Sequence, residues 1–484
     1  MLFRSLGREK GLIWAVIAGY LLLPESFEID LPGLPPYDKY FAVSLGICLA
    51  APLFWHKKSW PDDPDFVEEG KFLRYVLGAL ILMILIQIVM TVQNNTYQLF
   101  FSGTRFDRVR QALSNRDMIS MFASYFTAMV PFFMAWRLLR SPRHHRYVLL
   151  VMVITGSIYA VLAFWEMRFS PRMNINVYGY FQHDWRQHIR GGQFRPVVFL
   201  QHGLWLAFFL LTTALAAFAL VKEETKGSRK FAALMAALWI TGVLLLSPNL
   251  GVALLLVLFL PILFVARTIQ VRVVWVVTLL FLAFPAVRQA DLLPLDGFLG
   301  LISKISEERA ASLQFRFDNE DDLIARAAEK PFFGWGGWAR SRIIDYRGIS
   351  TTVSDGLWII ILGERGWIGY LAYFGLLTVP LLLLGWTSRR RTLPHTTSAM
   401  GLIMAANLIY LVPNSTLNPI GWMLSGAIAG FIAWNEVRSP ASEAAGEAPP
   451  DPRRVSYTRF ANDKRREEAV PVRRSYPQTR RPAE

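Results

Sequence analysis

Three charged side chains interrupt an otherwise apolar stretch of the chain, STTVSDGLWIIILGERGWIGYL, at residues 350–371. Asp355 stands near its start, and Glu364 and Arg365 stand where an apolar run would continue. A carboxylate can take a proton from a reacting hydroxyl group, so Asp355 is a candidate general base. The alternative for Asp355 is a helix N-cap. Glu364 is a candidate substrate contact, and its alternative is an interfacial ion pair with Arg365.

The same stretch predicts a break in its helix. DGLWIIILG predicts a short helix that dips into the outer leaflet of a membrane. Gly363 and Gly366 allow the chain to bend after it. Backbone groups inside a membrane need hydrogen-bond partners, so we expect the bend to place Glu364 and Arg365 beside polar groups.

A second polar stretch, RGGQFRPVVFLQHGLWLAFFL, carries Arg190, Arg195 and His202 into an apolar segment. Ionisable side chains inside a span usually face a cavity or a partner, so His202 is a second candidate base. The alternative is a histidine that is hydrogen-bonded to a neighbouring helix. The upstream motif HDWRQH, which holds His183 and His188, has a spacing that suits no helical metal pair, so we predict no metal site.

Arginine greatly outnumbers lysine in the loops predicted to face outward. Solubility alone would not choose between the two, but only the planar guanidinium grips phosphate or carboxylate in two places. The set therefore predicts an anionic substrate, although surface ion pairs are the alternative for any single member. The candidate substrate-binding arginines are Arg190, Arg195, Arg309, Arg316, Arg340, Arg342 and Arg347.

The elements that must position these residues are membrane helices. The chain has 484 residues and is 53% hydrophobic. Apolar stretches near twenty residues recur, which suits helical spans across about 30 Å of hydrocarbon. Leu-rich runs exclude the alternating pattern of a β-barrel, and the single cysteine, Cys48, excludes an internal disulfide. The sequence predicts an all-α polytopic protein with twelve spans, at about 11–24, 38–56, 73–93, 118–138, 147–166, 197–221, 231–247, 250–267, 273–289, 366–386, 398–413 and 420–434.

Charge in the loops predicts orientation. The inner loops and the tail are basic, so both termini are expected in the cytoplasm. The transmembrane domain is predicted at 1–434, with a large periplasmic loop at 290–355 that forms a helical cap and includes a helix at DNEDDLIARAAEK. FGWGGW in this loop predicts a tight turn. Residues 435–484 predict a disordered basic tail, and the net charge of +15 indicates contact with anionic lipid rather than nucleic acid.

Several of these motifs together resemble the O-antigen ligase/polymerase family of membrane glycosyltransferases, over roughly residues 190–385. In LGERGWIGYLAYFGLL, Glu364, Gly366 and Gly369 match the family's Glu-x-Gly-h-x-Gly. RGGQFRP resembles its outer loop, whose arginines hold the lipid pyrophosphate, and SPNLGVALLLVLFL resembles its Ser-rich bend. The chain departs from the pattern where Asp355 and Gly356 occupy the positions of a His-Asn pair, and where Pro248-Asn249 replaces an arginine after the serine.

The resemblance implies a GT-C-like enzyme of the bacterial inner membrane with its active site in the periplasm. Its donor would be an undecaprenyl-pyrophosphate-linked glycan, and its acceptor a hydroxyl of another lipid-linked glycan or of the lipid A core. Asp355 or His202 would be the base, with no metal, cofactor or nucleic acid, and a chain-length regulator is a candidate partner. We favour polymerisation of an O-antigen or exopolysaccharide over ligation, because an aspartate replaces the family's histidine. The alternative of another class is a transporter or flippase of lipid-linked glycans, which the nearly charge-free span interiors disfavour.

Overall fold

The computed structural model of the chain describes residues 1–25, 38–60, 71–99, 111–190, 192–304, 306–337, 339–344, 350–353, 355–390 and 392–437. Arg347 and the predicted tail from residue 438 onward lie outside the described residues. The side chains of Arg190 and Arg309 lie outside them as well.

Helices joined by short connections make up most of the described chain. The two short strands, β1 (Ile189–Arg190) and β2 (Gln193–Phe194), form an antiparallel hairpin. The helices, in chain order, are α1 (Leu2–Leu6), α2 (Arg8–Leu22), α3 (Lys39–Leu53), α4 (Lys71–Gln93), α5 (Asn115–Leu138), α6 (Pro142–Phe169), α7 (Met173–Tyr178), α8 (Gly203–Glu223), α9 (Gly227–Leu246), α10 (Leu250–Phe264), α11 (Arg267–Gln289), α12 (Leu295–Ser303), α13 (Glu307–Ala328), α14 (Leu357–Arg390), α15 (His395–Leu411) and α16 (Pro419–Val437).

Seven of these helices are long and apolar enough to cross a membrane: α4, α5, α6, α8, α9, α11 and α14. Many of their apolar side chains point outward, including Leu82 on α4 and Leu280 on α11, which are 57% and 63% exposed. Such surfaces are unfavourable in water and suit lipid. The protein is therefore an all-α multi-pass membrane protein. Each predicted span falls on a helix, although α8 begins at Gly203 rather than at 197.

Glycines bring the last helix close to α5. A Cβ on Gly426 would lie 2.1 Å from the carbonyl oxygen of Phe132, and one on Gly430 would lie 2.6 Å from that of Trp136. Small residues let helix backbones approach closely, and van der Waals packing of this kind drives helix association in membranes. The glycine spacing on α16 therefore explains why α16 packs along α5.

The predicted break in α14 is present at Gly366, whose φ of 64° and ψ of −173° interrupt the helix. The turn at 331–336 supplies hydrogen-bond partners for the broken backbone. The N–H groups of Trp335 and Gly336 donate to the carbonyls of Gly363 (2.9 Å) and Glu364 (2.8 Å). On the other side of the break, the N–H group of Trp367 donates to the carbonyl of Pro331 (2.7 Å). The break therefore leaves these groups paired, as an apolar surrounding requires.

The long connection between α11 and α14 carries α12 and α13. The predicted helix at DNEDDLIARAAEK forms the second half of α13, which ends at Ala328, two residues before the predicted end. Arg288, at the end of α11, donates to Asp321 (2.7 Å) and lies 3.5 Å from Glu320. Asn319 accepts from the N–H group of Val353 (2.8 Å), which fixes the chain just before Asp355 against α13. The helix α13 thereby connects the end of α11 to the start of α14.

Candidate functional site

Asp355 and Arg316 form an ion pair at the junction of α13 and α14. Arg316 Nε lies 3.5 Å from Asp355 Oδ2, and the two side chains are 38% and 44% exposed. A pair this open is screened by solvent and contributes little to stability. Both groups therefore remain accessible to an incoming molecule.

The backbone around Asp355 is held more tightly than its side chain. A Cβ on Gly356 would lie 2.2 Å from the carbonyl oxygen of Val412, so this position requires glycine. The N–H group of Leu357 donates to the carbonyl of Asn414 (3.4 Å), in the connection between α15 and α16. Because α14 begins at Leu357, Gly356 is the residue at the cap position. The expectation that Asp355 itself is the N-cap is therefore wrong.

Arg195 is buried, at 3% exposure, and lies beside the start of α8. Its Nε donates to Asn249 Oδ1 (2.8 Å), and its second terminal nitrogen donates to the same oxygen. Asn249 lies between α9 and α10, in the predicted bend SPNLG. A Cβ on Gly203 would lie 2.7 Å from Arg195 Cγ, so α8 has to begin with a glycine there. The fold thus joins two of the motifs that carried the resemblance.

Glu166, at the end of α6, orients the segment that carries Arg195. Its buried carboxylate accepts from the N–H groups of Val197, Val198 (2.8 Å each) and Met173 (2.9 Å). Val198 has a φ of 56°, which costs backbone energy for a β-branched residue. The two bonds that Val197 and Val198 donate to Glu166 offset that cost and hold the chain on its path toward α8, and the bond from Met173 fixes the start of α7 to the same carboxylate. Glu166 was not predicted from the sequence, because a carboxylate inside one helix gives no sign of its partners in a distant loop.

His202 lies at the entrance of α8 rather than inside it. Its Nδ1 accepts from the N–H group of Leu204 (3.1 Å), which makes it the N-cap of the helix. Its ring also lies near two others, with centroids 4.8 Å from His183 and 4.9 Å from His188. His188 is fully buried, and burial followed by the charges of His183 and Arg195 lowers the pKa of His188 to about 4. Its imidazole is therefore neutral at physiological pH.

Tyr410 on α15 connects the two charged regions. Its hydroxyl donates to the carbonyl of Leu204 (3.1 Å), on the first turn of α8. Both Arg195 and Arg316 interact electrostatically with its phenol. Two arginines far apart in sequence therefore both influence Tyr410, and Asp355 is paired with the second of them. Tyr410 was not predicted from the sequence, because nothing distinguishes it there from other tyrosines within apolar runs.

Two other predicted arginines, Arg340 and Arg342, have other partners. Arg340 is 1% exposed, and its guanidinium donates to the carbonyls of Trp335 (3.2 Å), Gln111 (2.6 Å) and Tyr97 (3.2 Å). These bonds join the turn at 331–336 to the segments beside α4 and α5, so Arg340 has a clear structural role. Arg342 is exposed and interacts electrostatically with Glu364.

Arg365 packs against two aromatic rings. Its guanidinium lies 4.0 Å from the ring centroid of Tyr125 and 4.8 Å from that of Tyr373. The aromatic faces stabilise the cation within the bundle. Arg365 therefore packs against aromatic rings, whereas the sequence suggested only an ion pair with Glu364.

The described residues thus pair Asp355 with Arg316, and Arg195 and Arg316 both act electrostatically on Tyr410, whose hydroxyl reaches the first turn of α8 beside His202. Arg340 instead donates to the backbone carbonyls of Trp335, Gln111 and Tyr97. Comparisons of the chain with protein-family models, curated proteins and solved structures found no match.

Proposed function

We propose that this protein is a membrane glycosyltransferase. It moves a glycan from undecaprenyl pyrophosphate to an acceptor sugar hydroxyl, in the polymerisation of an O-antigen or exopolysaccharide. The observation that carries the proposal is the ion pair of the accessible Asp355 with Arg316, in a region where Arg195 and Arg316 both act electrostatically on Tyr410. Arginines near an accessible carboxylate suit a reaction in which a pyrophosphate leaves and a hydroxyl loses a proton.

The proposed reaction gives each group one task. The acceptor oxygen bonds to the anomeric carbon, and the bond from that carbon to the pyrophosphate oxygen breaks. Arg195 and Arg316 stabilise the negative charge that develops on the leaving group. The carboxylate of Asp355 takes the proton of the acceptor hydroxyl.

The other predicted residues have secondary tasks in this proposal. His202 is the alternative base, and Glu364 with Arg342 forms an outer part of the substrate surface. Arg190, Arg309 and Arg347 remain predicted anion contacts. Ligation to the lipid A core is the same chemistry with another acceptor, and a chain-length regulator is a candidate partner of the polymerase.

The proposed topology has twelve spans in the bacterial inner membrane, with both termini in the cytoplasm. Residues 290–355 then form a periplasmic cap of a GT-C-like fold, and the site faces the periplasm. Cysteines introduced by Ser303→Cys and Ser442→Cys in a Cys48→Ser background test this topology. An impermeant thiol reagent added to intact cells should label the Ser303→Cys variant alone. Labelling of the Ser442→Cys variant would refute the arrangement.

Reconstituted protein tests the activity. Proteoliposomes should receive the lipid-linked oligosaccharide extracted from membranes of the producing cells. We expect longer lipid-linked glycans and released undecaprenyl pyrophosphate. Asp355→Asn should lower the rate by about 10²–10⁴-fold, the usual loss for a general base. Asp322→Asn, which changes an exposed carboxylate on α13, is the matched control. Movement of the lipid between leaflets without new glycosidic bonds would favour the flippase instead.

A further inference from the structure

Three histidine rings meet where the loop before β1 touches the start of α8. His183 and His188 belong to this loop, and His202 caps the helix. Their ring centroids lie 4.8–5.5 Å apart. One nitrogen from each ring can be chosen so that all three lie within 4.8 Å of one another. A set of this kind can act as three ligands of a single ion.

The central ring is buried without a hydrogen-bond partner. Neither Nδ1 nor Nε2 of His188 has a partner within the described part of the chain, and Nδ1 of His183 is also without one there. A buried polar atom that lacks a partner costs free energy, so such atoms usually bind something. Two rings of this cluster, those of His183 and His188, therefore each have a nitrogen available for a ligand.

We propose that His183, His188 and His202 bind one divalent transition-metal ion of the zinc class. Neutral imidazole is a preferred ligand of zinc, and three histidines leave a fourth tetrahedral position open. Sequence spacing did not predict this site, because His183 and His188 form no helical pair and the third ligand comes from another element.

Small movements would complete the coordination. Zinc–nitrogen bonds of about 2.0–2.1 Å in a tetrahedron place donor nitrogens about 3.4 Å apart. The donor nitrogens, which lie within 4.8 Å of one another, therefore have to approach by up to about 1.4 Å. His183 lies in a loop without regular secondary structure, which makes such a shift inexpensive.

His202 has to change its present role. Its Nδ1 carries the lone pair that accepts from Leu204, so the neutral ring in this state has its hydrogen on Nε2. Metal binding takes Nδ1 away from the cap or moves that hydrogen. Asparagine is a good N-cap residue, so His202→Asn preserves the cap and removes the ligand. This substitution separates metal binding from helix capping.

The ion would clamp the loop at 183–188 to α8, with Arg195 in the intervening segment. The guanidinium of Arg195 acts electrostatically on His188 and would oppose a bound cation. An anionic fourth ligand, hydroxide or a phosphate oxygen, would offset this repulsion. The test of this site measures metal binding and does not depend on the proposed glycosyl transfer.

The experiment uses full-length protein purified in detergent without a polyhistidine tag and stripped with a chelator. Co²⁺ is titrated as a visible probe of tetrahedral coordination, and Zn²⁺ content is measured after dialysis. We expect one ion per chain, and at least a tenfold weaker affinity in His188→Ala and His202→Asn. The control is His56→Ala, which removes an exposed histidine outside the cluster.

The measurement on wild-type protein tests the proposal even if a variant fails to fold. Uptake of Co²⁺ by the wild type that is no greater than uptake by a variant lacking all three histidines would overturn the proposal. Tetrahedral absorption that survives in His202→Asn, in protein with an unchanged size-exclusion profile, would remove His202 from the ligand set and refute the three-histidine site.

Discussion

Arg195 donates two hydrogen bonds to Oδ1 of Asn249, although 53 residues separate them in the sequence. The asparagine occupies the bend between α9 and α10, and the arginine lies just before α8. An amide oxygen orients the guanidinium without cancelling its charge, whereas a carboxylate there would neutralise it. The pair thus fixes the direction of Arg195 without neutralising it, as the proposed binding of an anionic donor requires.

This pairing predicts the effect of Asn249→Asp. The new carboxylate should form an ion pair with Arg195 and compete with the pyrophosphate of the donor. Loss of one charge-assisted contact corresponds to about 10- to 100-fold in donor KM, with a smaller effect on kcat. Transfer kinetics with varied lipid-linked donor provide the measurement. The control is Asn176→Asp, which adds the same charge at an exposed position. An unchanged KM would mean that Arg195 does not contact the donor.

Arg316 provides a second prediction about the anion contacts. Arg316→Lys retains the positive charge beside Asp355 but loses the planar fork. We expect kcat/KM to fall by roughly 10- to 100-fold, the effect of one lost charge-assisted hydrogen bond. The measurement is the rate of undecaprenyl pyrophosphate release at limiting donor concentration. Arg229→Lys changes an exposed arginine at the start of α9 and should behave like wild type. Equal rates in both variants would make Arg316 an ordinary surface charge.

Sequence patterns predicted the features of the fold that depend on neighbouring residues. Apolar runs located the helices, and the glycines of LGERGWIGY located the break at Gly366. The partners Asn249, Glu166 and Tyr410 were not predicted, because their roles arise from contacts between segments far apart in the chain. The prediction that Asp355 is the N-cap of α14 was wrong, because α14 begins two residues after Asp355.

The break in α14 predicts the behaviour of Gly366→Ala. The conformation at this position is accessible almost only to glycine, and an added Cβ would lie 2.4 Å from the backbone of Phe332. The backbone strain alone costs about 1–3 kcal/mol, and the contact adds to it. We expect a lower thermal unfolding temperature in detergent. Gly242→Ala, on α9, meets nothing within 4 Å and should leave the temperature unchanged or slightly higher. Equal temperatures for the two variants would exclude a structural requirement at the break.

Glu320 on α13 predicts how stability depends on pH. Burial raises the pKa of its carboxyl to about 7, and the attraction of Arg288 only partly opposes this. A carboxyl whose pKa is raised by folding binds its proton more tightly in the folded state. Its contribution to stability is therefore complete below the unfolded pKa and is lost as the pH rises through 7. Between pH 6 and pH 8 the loss amounts to about 1 kcal/mol.

Glu320→Gln tests this dependence because the amide resembles the protonated carboxyl and cannot ionise. Thermal unfolding in detergent should show the wild type losing stability from pH 6 to pH 8 while Glu320→Gln changes less. At pH 8 the variant should be at least as stable as the wild type. Asp322→Asn removes an exposed carboxylate from the same helix and should retain the wild-type dependence. If the wild type and Glu320→Gln follow the same pH profile, the carboxyl does not titrate near 7. The ion pair with Arg288 would then keep it charged, and the contact between α11 and α13 would depend on that pair rather than on a buried neutral acid.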